Sequence, residues 1–103
     1  MLGQVQPSAN TLTTAYTVPS ATQTVVSTIV VCNLGKSPAA YRVAVRPAGA
    51  SISNQHYIAY DATVSAQDTI TLTLGISLAT TDVVSVQSAN GYVSFNLFGS
   101  EIA

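Results

Sequence analysis

His56 is the chain's only histidine, and with Asp61 as the orienting acid and one of the many serines it would be the base of a hydrolytic triad. The two residues fall in one strand-like stretch, Gln55 to Asp61, and their separation of five sends them to opposite faces of a strand. No G-x-S-x-G motif supplies a nucleophile elbow. Histidine packed on a sheet or bonded at an interface is the simpler reading. Metal chemistry has no better footing, because Cys32, His56 and the acids Asp61, Asp68, Asp82 and Glu101 follow no ligand spacing. A calcium tie between loops through Asp68 or Asp82 lacks a supporting ligand set.

Gly35-Lys36-Ser37 resembles the end of a phosphate-binding loop, but Val30 stands where the first glycine of that motif belongs. Pro38 and a new strand follow where a helix is required, so the tripeptide reads as a turn. Cys32 lies in the apolar run Val25 to Leu34 and, alone, closes no internal disulfide; it reads as a small hydrophobe. Tyr16, Tyr41, Tyr57, Tyr60 and Tyr92 could line a sugar-binding surface, although strand tyrosines more often fill cores and interfaces. Arg42 and Arg46 are the stronger candidates. Period two places both on one strand face, where guanidinium groups can fork onto a partner's carboxylates.

These residues sit in a chain of 103 residues of which only 7% are charged, against about a quarter in ordinary soluble domains. The surface must therefore be largely Ser, Thr, Gln and Asn, which leaves few groups for acid, base, metal or phosphate chemistry. Three cations and a net charge of −1 exclude the basic patch that nucleic acid requires. Mean hydropathy is +0.40, yet no apolar run approaches the roughly 18 residues of a membrane span. The start, MLGQVQPSAN, has no basic or apolar segment that marks a secreted protein, which predicts assembly in a cytoplasm.

Strand signals follow one another almost without a break. Residues 1–10 show no apolar period and read as an extended arm, and residues 11–103 read as one β domain. Thr11 to Val18 is a strand ended by Pro19. Thr22 to Leu34 is apolar on both faces, and Tyr41, Val43 and Val45 alternate with Arg42, Ala44 and Arg46. Gln55 to Asp61 puts His56, Ile58 and Tyr60 on one face and Tyr57, Ala59 and Asp61 on the other. Thr69 to Leu74 alternates threonine with Ile70, Leu72 and Leu74, and Gly75 predicts a bulge. Asn90-Gly91 between Val83 to Gln87 and Tyr92 to Phe98 predicts a two-residue hairpin with positive φ at both positions. The whole is an all-β antiparallel sandwich or small jelly roll of about seven to eight strands.

In the second strand, Val25, Ile29 and Val31 cannot share an inward face with Val26, Val30 and Cys32. One set then needs cover from another subunit or from the arm. This predicts a homotrimer with Val25, Ile29 and Val31 at its interface.

The stretches TQTVVSTIVVCNLG (Thr22 to Gly35), YRVAVRPAGA (Tyr41 to Ala50), NQHYIAYD (Asn54 to Asp61), TLTLGISL (Thr71 to Leu78) and VSFNLFGSEI (Val93 to Ile102), with Tyr16-Thr17-Val18-Pro19 ahead of them, resemble small virion structural proteins of tailed bacteriophages, above all of cyanobacterial phages. The resemblance covers most of the chain and brings no catalytic residue. It implies a virion protein assembled in the host cytoplasm, a capsid decoration or cement protein on the major capsid protein, without a cofactor or membrane. Neck, baseplate and tail-fibre components, and modules binding host glycans, are the alternatives it leaves. Attachment is expected from the arm, through Gln4 and Val5, together with Arg42 and Arg46.

Overall fold

The computed structural model describes residues 2–102; Met1 of the expected arm and Ala103 of the expected domain lie outside them. Eight strands form: β1 (Gly3–Val5), β2 (Thr13–Thr17), β3 (Gln23–Asn33), β4 (Ala39–Arg46), β5 (Tyr57–Val64), β6 (Thr69–Leu78), β7 (Val83–Ser88) and β8 (Val93–Ile102). They make two antiparallel sheets of four, ordered β1-β8-β3-β6 and β2-β7-β4-β5. The first strand pairs with the last, the second with the seventh, the third with the sixth and the fourth with the fifth. That is one long antiparallel ribbon folded over itself, and the β8–β3 and β7–β4 pairings close it into a jelly roll.

Alternation explains which side chains meet between the sheets. Ile29, Val31, Phe95, Leu97 and Val93 from one sheet face Tyr41, Val43, Val84 and Val86 from the other, all of them buried. The Tyr41 and Phe95 rings meet edge to face at 6.2 Å. Burying a side chain of this size contributes roughly 1.5–3 kcal/mol, so the interior needs no charged group to hold it. Burial also pushes the Tyr41 hydroxyl above its ordinary pKa.

Three expectations change. The ladder of β3 slips between Val26 and Thr28 against both of its neighbours: against β8 the extra residue is Ser27, where the alternation of β3 changes phase, and against β6 it lies on β6, at the Leu74-Gly75 position where the sequence predicts a bulge. Val26, Ile29 and Val31 consequently share the buried face, and Val25 points outward with Val30 and Cys32. Ile29 and Val31 are fully buried within the protomer and are withdrawn as interface residues; of the expected set, Val25 alone is exposed.

Of the expected arm only Gly3 to Val5 is strand, docked as part of the domain, and the chain turns at Ala9-Asn10, where Asn10 takes φ of 55°. Gly3 to Val5 pair with Leu97 to Phe95 at the edge of β8, and Gln6 reaches the Gly91 carbonyl oxygen. Gly3 is required by close approach, since a Cβ there would run into the Ala15 carbonyl oxygen of β2. Finally, β7 and β8 lie in different sheets, so Asn90-Gly91 is a crossing between sheets and not a hairpin. Neither residue has positive φ; the Asn90 side chain instead accepts the Tyr92 N–H at 2.9 Å.

Candidate functional site

The residues that could carry acid, base or metal chemistry are each held in structural contacts. His56 sits in a short 3₁₀ turn (Asn54–His56) ahead of β5, where its Nδ1 accepts the Ser53 N–H at 3.1 Å. Asp61 accepts Arg42 Nε on Oδ1 and Arg42 Nη2 on Oδ2, at 2.7 and 3.2 Å, so the triad geometry is not formed. Asp82 accepts the Ala48 N–H on one oxygen and the Ala79 N–H on the other, both at 2.9 Å, and so ties two loops together. Asp68 caps the start of β6 by accepting the Thr69 N–H. Glu101 takes the Tyr16 hydroxyl, whose pKa is raised first by burial and then by that carboxylate. Among the described residues no three of His, Cys, Asp and Glu come together.

Gly35-Lys36-Ser37 is a turn between β3 and β4. Asn33, buried, holds it: Nδ2 donates to the Ser37 and Val64 carbonyl oxygens at 2.8 and 3.3 Å, and Oδ1 accepts the Gly35 N–H at 2.9 Å. Cys32 lies half-buried on the outer face of β3, opposite Ser94 and Thr69.

The outer faces of the two sheets differ sharply in chemistry. On β2-β7-β4-β5, Arg42 and Arg46 do share a face, as their spacing requires, with buried Ala44 between them. Arg42 is already engaged. Its guanidinium carbon lies 4.1 Å from the centre of the Tyr60 ring, beside its ion pair with Asp61, and Tyr60 meets Tyr57 edge to face at 4.9 Å. Irregularities in β5 make this cluster, because they bring Tyr57 and Tyr60 to one side although strict alternation separates them. Hydrogen bonding to Asp61 raises the Arg42 pKa, and the same contact lowers that of Asp61. Arg46, opposite Val83, has no hydrogen-bond partner for its Nε among the described residues.

On β1-β8-β3-β6 the outward residues read, row by row across the strands, Gln4-Asn96-Val30-Thr71, then Ser94-Cys32-Thr69, Phe98-Thr28-Thr73 and Ser100-Val25-Ser77. None of these residues bears a formal charge. Gln4 Nε2 donates to Asn96 Oδ1 at 2.7 Å, and Phe98 and Val25 stand exposed. The expected attachment set is therefore split: Gln4 lies on this face, Arg42 and Arg46 on the opposite side of the sandwich, and Val5 packs against the core between the sheets. The uncharged face escaped the sequence reading because the Ser27 slip hides its phase. The low charge of the chain was the signal that pointed towards it.

No family model, curated protein or solved structure matches the chain in comparisons with each.

Proposed function

We propose that the chain is a structural protein of a virus particle, a capsid decoration protein whose β1-β8-β3-β6 face lies against the major capsid protein. The observation that carries this reading is the uncharged outer face. Taking an unpaired charge out of water costs several kcal/mol, whereas threonine, serine and amide side chains can exchange water for hydrogen bonds to a neighbouring protein. A face built from Thr28, Thr71, Thr73, Ser94 and Asn96, with Val25 and Phe98 among them, is suited to being covered. Many copies on a shell would multiply a modest contact per copy.

Two further points support the reading. The chain resembles small virion structural proteins across most of its strands, and jelly rolls recur in viral capsid domains, which is an analogy of fold alone. The arginine face is a weaker attachment surface than the sequence suggests, since Asp61 already neutralises Arg42.

Quantitative mass spectrometry of purified virions tests the proposal. A copy number comparable to that of the major capsid protein supports decoration; a copy number of a single ring points to a neck, baseplate or fibre component. Absence from the particle refutes both.

One observation favours a second reading as a glycan-binding module. Asn54, Tyr57 and Tyr60 line a shallow depression in which Tyr60 is 56% exposed, and aromatic faces stack on sugars. Glycan-array binding that disappears with Tyr60→Ala would establish it, and a blank array would remove it.

A further inference from the structure

Four of the described strands lie at sheet edges, and three of them are guarded along their length. β1 is three residues long and is backed by Gly3 pressed onto the Ala15 carbonyl of β2. β2 is five residues long and its register slips between Thr14 and Tyr16. β5 carries two irregularities, the charge of Asp61 and the stacked Arg42. Bulges, charges and short length are the devices that keep sheet edges from pairing with other chains.

β6 has one of them, the extra residue it carries at Leu74-Gly75, and that leaves its first half unguarded. It is ten residues long, TITLTLGISL, without charge or proline, and it pairs only with β3. Among the described residues no turn, loop or side-chain hydrogen bond ends on residues 70–78. From Thr69 to Thr73 its pairing with β3 is regular, and the slip comes only beyond Thr73.

We propose that β6 pairs antiparallel with β6 of a second copy, about a two-fold axis at Thr71. Register decides the match. Directly opposed residues share a face, so an axis at Thr71 sets Thr71 against Thr71, Thr69 against Thr73, and Ile70 against Leu72 of the other copy. Threonine meets threonine outside, and the half-buried Ile70 and Leu72 meet inside, where they extend the core.

A second copy fits better than an unrelated strand, because both faces and the backbone ladder are matched by the strand's own sequence. The contact is isologous. It also ends at two, since the far edge of the joined eight-stranded sheet is the short, guarded β1. The two uncharged faces then lie side by side as one surface. The pairing belongs to the free protein and stands independently of attachment to a particle.

The test uses charge at the axis. Thr71 is exposed, so Thr71→Lys and Thr71→Glu leave the protomer's packing intact, yet each places like charges directly opposite one another in the pair. In sedimentation velocity under reducing conditions at tens of micromolar, the parent is expected as a dimer and each variant as a monomer. An equimolar mixture of the two variants is expected to return to a dimer. Hydrogen exchange of the parent should show β6 amides gaining protection as concentration rises. A monomeric parent, a charged variant that dimerises like the parent, a mixture that stays monomeric, or β6 exchange independent of concentration would each overturn the proposal.

Discussion

Asp61 reaches Arg42 from a bulge: its backbone takes φ of 53°, and its two carboxylate oxygens meet Nε and Nη2 of the guanidinium side-on. Aspartate is one of the few residues that enter the left-handed region readily, and the bulge that sets Tyr60 on the same side supplies the ring on which Arg42 stacks. The pair of cations on the outer face of β4 is thus half spent within the protomer.

This contact makes a pH prediction. Its hydrogen bond to Arg42 holds the Asp61 carboxyl below its ordinary pKa, although partial desolvation opposes the shift. A depressed folded pKa means that the pair stabilises the fold at pH above the unfolded carboxylate value, and that this contribution is lost as pH falls through the lower folded value. Both groups face solvent, so the effect on unfolding is small and screened by salt. NMR titration should find Asp61 below the ordinary range in the parent and returned towards it in Arg42→Gln. An ordinary Asp61 pKa in the parent would mean that the pair does not persist in solution.

Asn33 is a buried joint between β3, the Gly35 turn and the end of β5, with both sides of its amide used. Asn33→Ala leaves the Gly35 N–H and the Ser37 and Val64 carbonyl oxygens to find other partners, and is expected to cost about 3 kcal/mol. Urea unfolding at constant m-value measures it. A loss under about 1 kcal/mol would show that the loop relaxes without the amide.

Two glycines separate steric need from turn habit. A Cβ on Gly99 would collide with the Val25 carbonyl, where β8 crosses the Ser27 slip, whereas a Cβ on Gly75 meets nothing within 4 Å. Gly99→Ala is expected to cost about 2 kcal/mol or more, and Gly75→Ala to stay within about 0.5 kcal/mol. Thermal unfolding of the two variants side by side checks this; equal effects would remove the close approach at Gly99.

What the sequence made legible was whatever depends on local alternation. Ile70, Leu72 and Leu74 face inward, Arg42 and Arg46 share a face, and the all-β class follows from strand signals separated by turns. What it hid depends on a single inserted residue or on partners far along the chain. Ser27 reverses the phase of β3, so Ile29 and Val31 exchange an expected interface for the core. Gly3 to Val5 carry no apolar period because their ladder uses backbone groups. Asn90-Gly91 has the dipeptide of a tight hairpin, but the jelly-roll path sends β7 and β8 to different sheets. Arg42 and Asp61 are separated by nineteen residues, and alternation in β5 broken by bulges gives no local sign that they meet.

If other protein covers the uncharged β1-β8-β3-β6 face, charge placed there must block attachment while charge removed from the opposite face must not. The most direct measurement is loading of purified protein onto virions stripped of it, comparing the parent with Thr28→Lys/Ser94→Lys on that face and Arg42→Ala/Arg46→Ala on the other. Both variants change outward-facing side chains and should keep the parent's circular dichroism. The lysine variant is expected to stay folded and fail to load, while the arginine variant loads to parental occupancy. Parental loading by the folded lysine variant would contradict coverage of that face.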